Sequence, residues 1–218
     1  TGRPKGVMLS HRNLLWNAMS GIINYQLDES TVYLHATPLF HAAGGSRVFT
    51  MVTAGVTNVI LPRFDATEVL AAIPRHQVTS MLLVPTMINR LVREPELADH
   101  DLGSLRTIAY GASPMPQSVL AEALRKLPGV GFCQAYGMTE LSPAATFLEA
   151  RYHVLDGPDA LEKLLEDAAL AGVGGDEVED QAVPGLAVAM DAAHPLLEAV
   201  GVPGNVVVEQ DVAHLEVD

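Results

Sequence analysis

Short apolar runs alternate with helix-spaced apolar stripes through most of the chain. Val7-Met8-Leu9 reads as a short strand, followed by a helix over about residues 12–24 with Leu15, Met19, Ile22 and Ile23 on one face. Val32-Tyr33-Leu34 is the next strand, ending before Pro38, and residues 46–54 read as a helix. A strand at Val59-Ile60-Leu61 comes next. Asp65 with Glu68 three residues later predicts a capping box that opens a helix through Val69, Leu70 and Ile73. Pro74 ends or kinks that helix, because it lacks a donor and crowds the preceding turn. The buried-strand pattern returns in Met81-Leu82-Leu83-Val84 and in Thr107-Ile108-Ala109-Tyr110, with a short helix over residues 87–92 between them. An amphipathic helix over about residues 116–127 sets Val119, Leu120, Ala123, Leu124 and Leu127 on one stripe, and Pro128-Gly129 stops it. Phe132-Cys133-Gln134-Ala135 is the last strand.

Strands separated by helices predict an α/β fold, a mostly parallel sheet with helices on both faces. In such sheets ligands bind beyond the carboxyl ends of the strands. Gly111-Ala112-Ser113 and Tyr136-Gly137-Met138-Thr139-Glu140 both follow predicted strands and fall at that end.

Composition narrows the picture. A chain of 218 residues, 49% of them hydrophobic, can bury one sizeable core. No uninterrupted apolar run suits a membrane helix, and no signal-like segment opens the chain. The single cysteine, Cys133, cannot form an internal disulfide, which suits a reducing, cytoplasmic setting. The net charge of -13 is unevenly spread. Residues 1–150 carry 11 acidic and 11 basic side chains, whereas residues 151–218 carry 15 acidic ones against only Arg151 and Lys163. No basic face suggests nucleic-acid binding.

From Ala160 onward there is no Ser, Thr, Arg, Ile, Cys or aromatic residue. Lys163, Met190 and Asn205 apart, every residue there belongs to a type encoded by G- or C-initial codons. One reading is an acidic helical appendage, since Leu161, Leu164, Leu165 and Ala168 fit helix spacing. The other, favoured on composition, is a stretch that is not a native continuation. The expected organisation is therefore a domain over residues 1–158 and an acidic tail over 159–218.

Two segments carry candidate chemistry. Gly2-Arg3-Pro4-Lys5-Gly6 puts glycines where backbone amides can face phosphate, with Lys5 as counter-charge. Standing alone, such a string is more often a surface turn. It is not a Walker loop, because no Lys-Ser or Lys-Thr pair opens a helix. In Tyr136-Gly137-Met138-Thr139-Glu140 an aromatic face can stack on a purine and glycine admits close backbone approach. A hydroxyl there can meet an α-phosphate and a carboxylate can hold magnesium. The structural alternative is a strand-to-loop turn with Glu140 solvated. Gly111-Ala112-Ser113-Pro114 by itself is a strand-to-helix connection, and His41 by itself is structural. His76, His100, His194 and His214 show no metal-ligand spacing.

Taken in order, these segments resemble the loops of adenylate-forming enzymes, the family of acyl-CoA synthetases, luciferase and peptide-synthetase adenylation domains. The resemblance spans about residues 1–158 and rests on four segments. They are Thr1-Gly2-Arg3-Pro4-Lys5-Gly6 with Val7-Met8-Leu9-Ser10-His11-Arg12-Asn13-Leu14, Pro38-Leu39-Phe40-His41-Ala42-Ala43-Gly44, Gly111-Ala112-Ser113-Pro114, and Gln134-Ala135-Tyr136-Gly137-Met138-Thr139-Glu140. Met138, where peptide-synthetase domains typically carry proline, and the Pro38-Leu39-Phe40-His41 string make the chain most similar to acyl-CoA ligases.

The resemblance implies part of the large N-terminal domain of an acyl-CoA-synthetase-like fold. It also implies a reaction: a fatty or related acid and ATP give an acyl-adenylate and pyrophosphate, and CoA then displaces AMP. Among the residues, it implies Lys5, Thr139 and Glu140 as catalytic, with Lys5 supporting the leaving phosphates and Glu140 ligating Mg2+. Thr1, Gly2, Gly6, Gly111, Ala112, Ser113, Tyr136, Gly137, Met138 and Thr139 are implied nucleotide contacts, with Tyr136 against adenine. His41 and Gly111 would border the acid. The family's phosphate loop begins several residues before Thr1. No Tyr-x-x-Thr-Gly-Asp ribose motif and no second domain with its lysine follow. The chain alone is therefore expected to be inactive as a ligase. A non-catalytic nucleotide-binding remnant with an acidic interaction tail is the alternative.

Overall fold

Hydrogen bonding along six strands organises the chain, which the computed structural model describes over residues 6–153. In chain order the elements are α1 (His11–Asn24), β1 (Val32–His35), α2 (Ala42–Ala54), β2 (Thr57–Ile60), α3 (Ala66–His76), β3 (Ser80–Leu83), α4 (Pro85–Val92), β4 (Thr107–Gly111), α5 (Gln117–Lys126), β5 (Gly131–Gly137) and β6 (Ala144–Leu148). The sheet order is β2-β1-β3-β4-β5-β6. Every pairing is parallel except that of β5 with β6, which is antiparallel.

Alternation along the strands divides the core into two layers, because successive side chains point to opposite faces. Leu34, Met81, Leu83, Ile108, Tyr110 and Phe132 face α3, α4 and α5 and join Leu70, Ile73, Ile88, Leu91 and Leu120. Tyr33, Leu82, Ala109 and Cys133 face the other way and meet Tyr25, Met51 and Val56. Both faces are thus covered, as the alternating pattern predicts. Each fully buried Leu or Ile contributes roughly 1.5–3 kcal/mol relative to exposure, so the larger α3–α5 layer supplies most of the packing.

Several local expectations are corrected. Val7-Met8-Leu9 is irregular rather than a strand, and Met8 is exposed. These residues lead into an N-cap at Ser10. The Ser10 hydroxyl accepts from the Asn13 amide at 3.2 Å while Asn13 Oδ1 accepts from the Ser10 amide at 3.0 Å. This capping box is hard to see in sequence because its third helical residue is Asn rather than Glu or Gln. The stripe of Leu15, Met19 and Ile23 faces outward, and Asn17, Ala18 and Gly21 pack inward. Gly21 lets α1 approach α2 closely, since a Cβ there would lie 3.1 Å from Thr50 Cγ2.

Helix α2 starts four residues earlier than its apolar spacing suggests, at Ala42, and β2 runs from Thr57 rather than Val59. At α3 only half of the expected box is present, the Asp65 carboxylate accepting from the Glu68 amide at 3.2 Å. Pro74 lies within the last turn of α3, which continues to His76 and stops at Gln77 in the left-handed region. Strand β6 was not anticipated; among the described residues it pairs only with β5, and it carries no continuous apolar run. The expected acidic tail, including its helix-spaced leucines, lies outside the described residues.

Two buried histidines link this packing to pH. His35 Nε2 donates to Asn58 Oδ1 at 2.7 Å, and His153 lies against Tyr110 with its Nε2 2.8 Å from the phenol oxygen. Burial holds both imidazoles below the ordinary histidine pKa. Above about pH 6.5 both folded and unfolded chains carry these rings neutral. As pH falls below that value the unfolded chain takes up protons first, so stability drops until the folded pKa is reached. The urea midpoint should therefore fall between neutral pH and the folded pKa values, and His35→Gln or His153→Gln should flatten that fall. A midpoint that rises on acidification would contradict this.

Candidate nucleotide site

Strand register brings the two candidate segments together. Gly111 at the end of β4 is paired in parallel with Ala135 of β5. The 111–113 turn therefore leaves the sheet beside Tyr136 and Gly137, roughly one strand spacing of 4.8 Å away. Gly111 is buried, and a Cβ there would run into the Ala135 carbonyl oxygen. Only glycine permits this approach. Ala112 follows at φ +65°, a left-handed conformation that costs a non-glycine residue roughly 1–2 kcal/mol. It turns the chain sharply, leaving Ala112 and Ser113 exposed ahead of α5.

The second segment is shaped in the same way. Gly137 ends β5 where the ladder to β6 shifts register, and a Cβ there would strike the Pro143 carbonyl oxygen. Tyr136 is half-buried, Met138 and Thr139 are exposed, and Glu140 is partly exposed on a short 3-10 turn, Thr139–Leu141. An aromatic face, a hydroxyl and one carboxylate thus follow one another at the lip of the sheet. Asn17 of α1, which sequence reasoning missed, braces the start of β6 by donating from Nδ2 to the Ala144 carbonyl at 2.7 Å. Its apolar neighbours on α1 gave no hint that this polar position faces inward.

The electrostatics at this end follow from topology. Helices α2, α4 and α5 follow β1, β3 and β4, so their amino ends sit at the carboxyl edge of the sheet, where helix dipoles favour negative charge. Neither α4 nor α5 has a side-chain hydrogen bond at its N-cap. Among the described residues no three His, Cys, Asp or Glu side chains gather as a metal cluster. A lone carboxylate at Glu140 fits magnesium nonetheless, because Mg2+ commonly takes one or two carboxylates and completes its shell with phosphate oxygens and water.

The remaining expected residues are placed as follows. Thr1, Gly2 and Lys5 lie outside the described residues. Gly6 is exposed, and a Cβ there would meet nothing within 4 Å. His41 is exposed and caps α2, its Nδ1 accepting from the Ala43 amide at 3.4 Å. Strand β3 lies between β1 and β4, which sets the start of the His41 loop roughly 10 Å from Gly111. Gly44 and Gly45 let that loop fold tightly onto the first turn of α2, since Cβ atoms there would strike the Pro38 and Leu39 carbonyls. Two clefts lie away from the motif segments. One, of 340 Å³, is bordered by Asp65, Asn89, Arg90 and Arg93. The other, of 610 Å³, lies among His100, Leu105, Lys126 and Val130 near the amino ends of β4 and β5.

The glycine geometry makes a prediction. Gly111→Ala and Gly137→Ala should each destabilise the fold by about 1–3 kcal/mol through overpacking, whereas Gly6→Ala should change it by less than about 0.5 kcal/mol. Urea denaturation of the three variants checks this, and equal effects at all three positions would contradict it.

Comparison with known proteins shows the family and the fold. A family model described as AMP-binding enzyme matches residues 1–209, past the point near Asp159 where the motif resemblance was expected to end. Feruloyl-CoA synthase of an Amycolatopsis species is 37% identical over 181 residues, covering 82% of this chain and 36% of the relative. The 2-succinylbenzoate–CoA ligase of Bacillus licheniformis is 43% identical over 155 residues, covering 71% of this chain and 31% of the relative. The chain thus spans about a third of the length of these relatives. Among solved structures, the inhibitor-bound N-terminal domain of FACL13 from Mycobacterium tuberculosis has a TM-score of 0.66 at 30% identity, covering 74% of this chain and 38% of that one. The O-succinylbenzoate Coenzyme A synthetase of Bacillus subtilis, in complex with ATP and magnesium ion, has a TM-score of 0.63 at 36% identity, covering 70% of this chain and 31% of that one. With its mostly parallel sheet, this chain belongs to the AMP-binding family of adenylate-forming enzymes.

Proposed function

We propose that the chain is the nucleotide-handling part of an AMP-forming acid:CoA ligase that uses ATP, Mg2+, CoA and a carboxylic acid. The observation that carries this reading is the register of β4 on β5, which sets Gly111 beside Ala135 in a chain of the AMP-binding family. A carboxylate oxygen of the acid attacks the α-phosphorus of ATP, the bond to the bridging oxygen breaks, and pyrophosphate leaves. The CoA thiol then loses its proton and attacks the acyl carbon, and AMP departs.

The residues take the following roles in this reading. Tyr136 supplies an aromatic face for adenine, and Gly111, Ala112, Ser113, Gly137 and Met138 form the wall around it. Thr139 donates its hydroxyl to the α-phosphate, and Glu140 contributes one carboxylate to magnesium, which when bound offsets phosphate charge. Thr1, Gly2 and Gly6 offer amides to the leaving phosphates beside Lys5. His41 and Gly111 border the acid. Preorganised charge of this kind acts most strongly on the transition state. A cytoplasmic location fits the sole cysteine, Cys133, which is buried and whose thiol burial pushes up to about 11. No described helix is long and apolar enough to cross a membrane.

For the acid, an aromatic carboxylate is the reading favoured over the fatty acid that the motifs alone suggest. The support is the names of the relatives, which specify feruloyl and 2-succinylbenzoate. Acid-dependent exchange of labelled pyrophosphate into ATP tests both points in the full-length protein. Exchange should be greater with ferulate or 2-succinylbenzoate than with palmitate, and Glu140→Gln should lower it by about a hundredfold or more. Undiminished exchange in that variant contradicts the metal role, and palmitate as the best acid restores the fatty-acid reading. Saturable ATP binding without exchange favours a non-catalytic nucleotide-binding protein.

A further inference from the structure

One buried polar pair begins at the residue before the 111–113 turn and has no part in the chemistry above. Tyr110 precedes Gly111 and is fully buried, and its Oη lies 2.8 Å from His153 Nε2. His153 Nδ1 lies 3.0 Å from the Glu149 carbonyl oxygen. A carbonyl can only accept, so Nδ1 carries the proton; in the neutral ring Nε2 is then an acceptor and the Tyr110 hydroxyl donates. Burial keeps His153 neutral and Tyr110 protonated, which preserves this assignment. The two rings also meet edge to face, with centroids 5.6 Å apart.

The position of this pair in the fold gives it significance. Thr139 and Glu140 lie on the connection between β5 and β6, and among the described residues β6 pairs with β5 alone. A short strand with one neighbour needs further anchors to hold its register. Two anchors are present. Asn17 holds the Ala144 carbonyl at the start of β6, and Tyr110 holds His153 just after its end. The backbone of Tyr110 runs straight into the 111–113 turn. Tyr110 therefore joins the first segment through its peptide bond, and through its hydroxyl it holds the stretch just beyond β6, the strand into which the second segment leads.

We propose that the Tyr110–His153 hydrogen bond is a positioning device that holds the 111–113 turn and the 136–140 segment in fixed relation, so that both meet one nucleotide. Both residues act through their neighbours. The proposal rests on reading this end of the sheet as the nucleotide site.

Hydrogen–deuterium exchange on the 218-residue chain tests it, comparing the unaltered protein with Tyr110→Phe, His153→Gln and the double variant, each with and without ATP and magnesium. The strand amides of Gly111, Ala135, Tyr136 and Phe147 should exchange about tenfold faster in either single variant, as expected for losing one buried hydrogen bond. The amides of Leu70 and Ile73 in α3 should keep their rates, ATP affinity should fall by about tenfold, and the double variant should be no worse than either single. Unchanged rates at Gly111 and Tyr136 would overturn the proposal. Loss of protection in α3 as well would also overturn it, making the pair part of the general core. If ATP protects nothing in the unaltered chain, the nucleotide reading fails, while the contrast between variants still decides whether the tether exists.

Discussion

The close approach of β4 and β5 at their carboxyl ends is the constraint on which the rest of the site depends. Two strands in parallel register can bring consecutive loops side by side only if nothing protrudes between them. At Gly111 the absent side chain is what leaves room for the Ala135 carbonyl, and at Gly137 it leaves room for the Pro143 carbonyl. With those gaps closed by backbone, the 111–113 turn and the 136–140 segment form one continuous edge. The surrounding layers serve that edge. Helices α3 to α5 pack one face, α1 and α2 the other, and the amino ends of α2, α4 and α5 direct their dipoles toward it.

The two faces are built with different chemistry. The α3–α5 layer is mostly aliphatic, with Leu70, Ile73, Ile88, Leu91 and Leu120 fully buried beside Phe132 and Tyr110. The α1–α2 layer buries a guanidinium. Arg47 donates to the Tyr25 hydroxyl at 2.9 Å and lies 4.6 Å from the centre of its ring, and Tyr25 meets Phe147 of β6 edge to face. Burial pushes the Tyr25 phenol up to about 12, so it stays protonated and can accept from Arg47. This chain of contacts runs from α2 through the cap of α1 to β6.

Much of the fold was legible because apolar pattern reports burial, and the central strands here are buried on both faces. Met81-Leu82-Leu83 and Thr107-Ile108-Ala109-Tyr110 read correctly as strands because side chains of both parities are buried. The same rule misled at Val7-Met8-Leu9, an apolar run that pairs with no described strand, and at α1, where Leu15, Met19 and Ile23 are exposed. Strand β6 was invisible since its burial is partial throughout. In the candidate site the glycines and Tyr136 stood out as residue types, but Asn17 and His153 did not. Their roles arise from contacts 127 and 43 residues apart in sequence, which local pattern does not encode.

The central claim is that a nucleotide binds where β4 and β5 end. Titrating AMP into the isotope-labelled 218-residue chain and following backbone amide shifts tests it most directly. The account predicts saturable shifts at Gly111, Ala112, Ser113, Tyr136, Gly137 and Thr139. Saturable shifts centred instead on the cleft of Asp65, Asn89, Arg90 and Arg93, or no saturable shift at all, would contradict it.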